Sequence, residues 1–290
     1  RLSGAGEAVL SGAIDQLYAL FPDPSSRPTL TTLNSVQPQS VKDLYRQAVA
    51  DGADLVIGPL IKEHVTSLGQ LAQRRVPVIA LNQTDSLTGS SNRNWTSLSL
   101  APEDEARQVA DIAYGQACRH AIVLGMKSDR GARLLSSFTD RWTQHGGRIL
   151  GQLVVDNPAD TNTEMGKLLG SGPSDQRIRA VERAFDLPVD SRGRGRSDFE
   201  CIFMLAPDAA TARTWRPLLV FHMAGDVPVY ATSAINDGVA DTRNRDLNGV
   251  LFVETPAMLP PEMTDRLSRL RALGRDALTL AQHWQQTTET

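Results

Sequence analysis

Apolar positions along this chain follow two alternating rhythms. Short runs rich in β-branched residues, DLVIGPL at 54–60 and VPVIALNQ at 76–83, read as buried strands, the first stopped by Gly58-Pro59 and the second by Asn82-Gln83. Between them Ile61, Val65, Leu68 and Ala72 recur every three or four residues, which puts them on one face of a helix over Ile61 to Arg74. Strand, helix and strand at this spacing predict a right-handed βαβ unit of parallel sheet.

The same alternation fills the chain on either side. Arg1 to Gly4 reads as a turn after a strand, and Gly4-Ala5-Gly6 leads into a helix carrying Ala8, Val9, Ala13, Ile14, Leu17 and Leu20 on one side. A strand from Thr29 to Val36 and a helix from Val41 to Ala50, capped by Gly52, follow. After the central unit come a strand at 96–100 and a helix opening at Pro102, with Glu103, Asp104 and Glu105 in its first turn. Acids there suit the positive end of a helix dipole, so this helix-end role takes precedence over a catalytic one. Further strands are expected at 120–124, 148–155, 200–205, 227–231 and 249–253, and helices at 131–145, 163–169, 177–185, 208–224, 262–273 and 275–286. The class is therefore α/β: two doubly wound, Rossmann-like lobes with a cleft. Crossings near Ser99 and Glu254 assign 1–98 with 255–290 to the first lobe and 99–254 to a second lobe inserted into it.

Composition removes several functions. Thirty basic residues against 33 acids give a net charge of −3, so no bulk field favours nucleic acid or anionic membrane. No run of about 18 apolar residues exists to span a bilayer, and no charged-then-apolar leader is present. His64, His120, His145, His222 and His283 are scattered without metal-ligand spacing, so no metal is expected. A Gly-x-Ser-x-Gly elbow and a phosphate-gripping Gly-Lys-Ser/Thr are both missing, and Val9 stands where a dinucleotide fingerprint needs its third glycine. The expectation is a protein with no catalytic residues and no cofactor. Trp215 shares a helical stripe with Ala212, Leu218, Leu219 and His222 and reads as core.

Several stretches resemble a known family in order and spacing. DLVIGPLIKEHV with VPVIALNQ, LSLAPEDEARQVA, RIRAVERAF followed by SDFECIFMLAPD, VPVYATS, GVLFVETPAML and ALGRDALTLA are together similar to the C-terminal domain of the LppC (YraM, LpoA) family of outer-membrane lipoproteins. The resemblance covers nearly the whole chain. It implies a type I periplasmic-binding-protein fold, a periplasmic location and tethering to the outer membrane in the full-length protein. It also implies that the lipid-bearing cysteine, a helical TPR-like domain and some strands of the family lie outside this chain, so membrane contact comes only through that anchor. The implied partner is a class A penicillin-binding protein, a peptidoglycan synthase, activated by contact.

The rival expectation is a receptor for an amino acid, amide or cell-wall fragment, held at the carboxyl ends of the strands. Amino-acid receptors of this fold offer hydroxyls and free N–H groups after the third strand of the first lobe. Here Pro59 has no N–H and Leu60 no hydroxyl, which impairs an anion grip, so a small ligand is open but not expected. Topology nominates Gly4, Ala5, Gly6, Pro59, Leu60, Asn82 and Gln83 as cleft-lining residues, and Met126, Lys127, Asn157, Pro207 and Ser233 across from them; plain packing is an equal alternative. Arg192, Arg194 and Arg196 are candidate partner contacts, although glycine-spaced arginines in a loop are usually just solvated. Cys118 and Cys201 precede and open neighbouring strands at the amino-terminal end of a 2-1-3-4-5 sheet. A disulfide and two buried thiols both fit, the thiols slightly favoured because bridging needs Cα atoms within about 7 Å.

Overall fold

In the computed structural model of the protein, the described residues are 2–35, 39–71, 73–83, 94–156, 161–186, 194–259 and 265–284. They run α1 (Leu2–Leu20), α2 (Val41–Ala50), β1 (Val56–Ile57), α3 (Lys62–Gly69), β2 (Val78–Ala80) and β3 (Trp95–Ser97). Next come α4 (Pro102–Gly115), β4 (His120–Met126), α5 (Asp129–Gln144), β5 (Arg148–Val155), α6 (Thr161–Leu168) and α7 (Ser171–Phe185). The chain ends with β6 (Cys201–Leu205), α8 (Ala209–Phe221), β7 (Val229–Ala231), β8 (Val250–Phe252) and α9 (Ser268–Gln282). These elements form two compact units, Arg1–Ala101 with Thr264–Thr290, and Pro102–Met263.

The first unit contains the βαβ motif. Its parallel sheet has the order β1-β2-β3, and the central β2 is fully buried at Val78, Ile79 and Ala80. Helix α2 is capped by Ser40, whose hydroxyl accepts from the Asp43 N–H, and closes at Gly52 with φ +85°. The peptide bond Gly58-Pro59 is cis. Helix α3 stops at Gly69, short of the expected Arg74, because the buried Arg74 side chain folds back and donates to the carbonyls of Gly69 and Leu71 at 3.0 and 3.2 Å. Its guanidinium also lies over the Trp95 ring, 4.9 Å from the centroid.

Four expectations for this unit are corrected. Leu2 to Gly4 are the start of α1, not a turn, since no proline interrupts the helix and a Cβ at Gly4 would meet open space. Residues 29–35 form no strand, and Leu30 and Leu33 stay partly exposed to solvent; Val36 lies outside the described residues. The two terminal helices are one, α9, running through Gly274. The chain returns to this unit after Met263, later than 254, because Val253 packs in the second unit's core and Glu254 accepts from Asn236 Nδ2 at 2.8 Å.

Helix α9 begins at an acidic latch. The Asp265 carboxylate accepts from the Arg271 guanidinium, the Leu267 N–H at 2.8 Å and the Ser268 hydroxyl at 3.2 Å, and these bonds, Arg271's first, hold its pKa down to about 2. A pKa lowered by folding stabilises the fold above the unfolded value near 4 and is lost as pH falls through about 2. Carboxyl NMR titration is expected to give Asp265 a midpoint near 2. In Asp265→Asn, hydrogen exchange at the start of α9 is expected to lose its acid sensitivity between about pH 4 and 2.

The second unit holds a five-stranded parallel sheet of order β5-β4-β6-β7-β8, which is the expected 2-1-3-4-5. Side chains alternate between its faces with period two. Ile122, Leu124, Ile202 and Met204 pack with Trp215 and Leu219 on one side; Ala121, Val123 and Phe203 pack with Phe138, Trp142 and Tyr230 on the other. Trp215 is 1% exposed, so its assignment to the core holds. Cys118 and Cys201 are disulfide-bonded, with Cα atoms 6.1 Å apart, which corrects the preference for free thiols. The physical reason is register: β4 pairs with β6 at Ala121↔Cys201, three residues from Cys118. The Glu200 carboxylate locks the same corner by accepting from the Arg119 and His120 N–H groups at 2.6 and 3.0 Å, and these bonds lower its pKa.

Candidate functional site

Because all five strands of the second unit are parallel, their carboxyl ends share one edge, and four of the nominated residues lie there. Met126 ends β4, and Lys127 follows it, exposed, with Nζ 2.9 Å from Asp156 beyond β5; this pair raises the lysine pKa. Pro207 lies just past β6, and Ser233 opens a short 3-10 turn after β7. Asn157 lies outside the described residues. Three acids that sequence did not single out as binding groups complete the edge. Glu105, in the first turn of α4, accepts from both the N–H and the hydroxyl of Ser233 at 2.8 Å. Glu254 accepts from Asn236 Nδ2 and the Thr255 N–H, each at 2.8 Å, and Glu103 accepts from Arg133 Nε at 2.9 Å.

These carboxylates act as ties between elements. Glu105 fixes the turn after β7 to the start of α4, 128 residues away in sequence. A hydrogen bond to a charged acceptor contributes about 1.5–3 kcal/mol. Glu105→Ala is accordingly expected to lower the unit's stability by about 1–3 kcal/mol in a urea titration, whereas Glu103→Ala, which breaks a surface ion pair, changes it by less than about 1 kcal/mol.

In the first unit the nominated residues follow β1 and β2. Leu81 N–H donates to the Pro59 carbonyl at 3.0 Å, Asn82 Nδ2 donates to the Leu60 carbonyl at 3.0 Å, and Gln83 N–H donates to Asn82 Oδ1 at 2.9 Å. The polar groups of these two turns therefore bond one another. Gly4, Ala5 and Gly6 lie within the first turns of α1.

The arginines divide. Arg192 lies outside the described residues, and Arg194 is exposed, its backbone N–H donating to Ser174 Oγ at 3.0 Å. Arg196 is not a solvated contact. Its guanidinium forks onto Asp198 at 2.9 and 2.8 Å and donates to the carbonyls of Leu150 and Leu168 at 3.2 and 3.3 Å, bracing β5 against the end of α6. The bond to Asp198 raises the arginine pKa, and the same bond lowers that of the aspartate.

A further constellation went unseen in the sequence. Ser171 Oγ and His222 Nδ1 are 2.7 Å apart, and His222 Nε2 is 2.9 Å from Asn162 Oδ1. Serine, histidine and amide in series suit acyl transfer in an open pocket. Here Ser171 and His222 are 4% and 7% exposed, and Gly166 packs on the imidazole. The three residues instead pin α6, α7 and the end of α8 together. Among the described residues no cluster of three His, Cys, Asp or Glu side chains is arranged to hold a metal, and no helix is long and apolar enough to cross a membrane.

Comparison with known proteins places these features in a family. A family model described as LppC putative lipoprotein matches residues 18–289. A Photobacterium profundum protein named penicillin-binding protein activator LpoA is 27% identical over 295 residues, covering 96% of this chain and 47% of its own. A Klebsiella pneumoniae protein of the same name is 28% identical, covering 87% of this chain and 38% of its own. The chain thus spans about half the length, or less, of the relatives it matches. Among solved structures, the LpoA C-domain of Haemophilus influenzae, described as a regulator of PBP1A, superposes with a TM-score of 0.70 at 21% identity, covering 97% of this chain and 82% of its own. A putative branched-chain amino acid ABC transporter from Chromobacterium violaceum superposes at 0.65 and 26% identity, with coverage of 97% and 83%. The expected fold, that of periplasmic binding proteins, is therefore the observed one.

Proposed function

The chain belongs to the LppC putative lipoprotein family, and on that premise we propose that it is a non-catalytic regulatory domain that binds and activates a class A penicillin-binding protein in peptidoglycan synthesis. The observation that carries this reading is likeness to proteins named as activators along almost the whole chain. In this reading the domain works in the periplasm, tethered to the outer membrane in the full-length protein, without nucleic acid or cofactor. Activation is then a coupling free energy: docking favours an active conformation of the synthase, and about 1–3 kcal/mol of coupling changes the equilibrium 5–150-fold.

The test is binding of this chain to the class A synthases of the same organism, followed by glycan-polymerisation and transpeptidation rates with and without it. Saturable binding to one synthase with a rate increase supports the proposal. No binding to any of them, also with the rest of the full-length protein restored, sinks it.

The likeness to a putative branched-chain amino acid ABC transporter favours a second reading, a solute receptor. Two features weigh against it: Pro59 has no N–H to offer, and the Leu60 carbonyl is already taken by Asn82. A receptor gains about 2.7 kcal/mol of stability at a hundredfold excess of ligand over its dissociation constant, so a melting screen of amino acids and muropeptides separates the two.

A further inference from the structure

The one Asn-Gly dipeptide of the sequence, Asn248-Gly249, joins a 3-10 turn over Thr242–Leu247 to β8. Both residues are exposed, and a Cβ at Gly249 would meet open space. Among the described residues, neither the Asn248 side-chain amide nor the Gly249 N–H has a hydrogen-bond partner. Other asparagines are held. Asn82, Asn94 and Asn236 donate through Nδ2 to the Leu60 carbonyl, the Arg74 carbonyl and Glu254, and the amide oxygens of Asn162 and Asn244 face His222 and Arg213, each at 2.8–3.0 Å. Gly52 and Gly238, after Asp51 and Asp237, share the positive φ of Gly249, +85° and +71° against +82°, but their N–H groups donate to the Val49 carbonyl and to Asn236 Oδ1.

We propose that Asn248 is a site of spontaneous covalent modification, in which the Gly249 nitrogen attacks the Asn248 side-chain carbonyl and water completes conversion to aspartate and isoaspartate. In the first step a bond forms between the Gly249 nitrogen and Cγ. The side-chain amide nitrogen leaves with the Gly249 proton as ammonia, and a five-membered succinimide remains. Water then opens either carbonyl of the ring. Opening at Cγ gives aspartate; opening at the main-chain carbonyl gives isoaspartate, whose backbone runs through the former side chain. Ring closure requires the peptide to turn from the Asn248 ψ of 133°. Glycine supplies the compensating torsions, and no hydrogen bond of the attacking or attacked group is broken. One that had to break first would slow the step by about 2–10-fold. The product alters the sheet edge. Leu247 packs on the second unit's core and Val250 pairs with Val229, so isoaspartate adds one backbone atom between two fixed points and loosens β8 from β7. Either product adds a negative charge at neutral pH.

The experiment incubates the whole native chain at neutral and at alkaline pH and follows it by peptide-mapping mass spectrometry that separates aspartyl from isoaspartyl forms, with wild type, Asn248→Asp and Asn248→Gln compared. Asn248 is expected to lose its amide about tenfold faster, or more, than Asn82, Asn162, Asn236 and Asn244, whose amides are held. The rate is expected to rise with pH, because the attacking nitrogen must give up its proton, and both products are expected. Asn248→Gln, one methylene longer, is expected to keep its amide because the five-membered ring no longer forms. Hydrogen exchange over β8 is expected to be faster in incubated wild type than in Asn248→Asp, which carries the charge without the added backbone atom. Persistence of the Asn248 amide in the native chain overturns the site, and the same incubation in urea then shows whether the fold protects it. Aspartate without isoaspartate, or equal loss of amide from Asn248→Gln, overturns the ring route. Equal exchange in incubated wild type and Asn248→Asp overturns the effect on β8.

Discussion

Removal of the Cys118–Cys201 bridge is expected to lower the stability of the second unit by about 2–4 kcal/mol. The bond joins residues 83 apart, so in the chain-entropy account it closes a long loop in the unfolded chain, and the full loop term approaches about 4.5 kcal/mol. It also pins the starts of β4 and β6, adjacent strands at the centre of the sheet. For a unit of this size the loss corresponds to a fall of about 5–15 °C in melting temperature for Cys118→Ala/Cys201→Ala relative to the oxidised protein. Cys118 and Cys201 are 4% and 1% exposed, so mild reductant is expected to leave the native bridge intact and to cut it only in denaturant. Mass spectrometry after alkylation in denaturant reads the state directly. Two alkylated thiols without prior reduction, or a double variant that melts as wild type does, would remove the bridge from the account of stability.

How much of this was legible in the sequence depended on the range of the signal. Helix Val41–Ala50 and strand Arg148–Val155 have bounds that the sequence carries, because period and punctuation are local: Gly52 closes one, and the Gly146-Gly147 turn opens the other. The carboxyl edge holding Met126, Lys127, Pro207 and Ser233 followed from the rule that parallel strands end together, which needs no knowledge of side chains. The Glu105–Ser233 tie and the Ser171–His222–Asn162 series span 128, 51 and 60 residues, and no spacing in the chain encodes such pairs. The bracing role of Arg196 is hidden for the same reason, since a glycine-spaced arginine is indistinguishable from a solvated one until the Leu150 and Leu168 carbonyls are seen beside it.

Gly274 is the sharpest of these cases and carries the other large prediction. As punctuation it divides two helices, yet in the structure it lies inside α9 where that helix crosses α1. A Cβ at Gly274 would overlap the Val9 carbonyl oxygen, and one at Gly12 would overlap the carbonyl oxygen of Arg271, so the two glycines let the two backbones touch. Around that contact Val9 and Ala13 on α1 face Leu273 and Ala277 on α9, all nearly or fully buried. Replacing glycine by alanine inside a helix ordinarily stabilises by about 0.5–1 kcal/mol. At Gly12 and Gly274 the sign is expected to reverse, because a methyl group must push backbone rather than a flexible side chain, a cost of about 1–3 kcal/mol or more. Gly4→Ala and Gly6→Ala in α1 are the controls: nothing lies near a Cβ there, and the ordinary small gain is expected. Hydrogen exchange of α1 and α9 peptides reads all four variants against wild type. Faster exchange in Gly274→Ala and Gly12→Ala, with slower or equal exchange in the controls, is the expected pattern; slower exchange in all four would mean that the helices do not approach at these glycines.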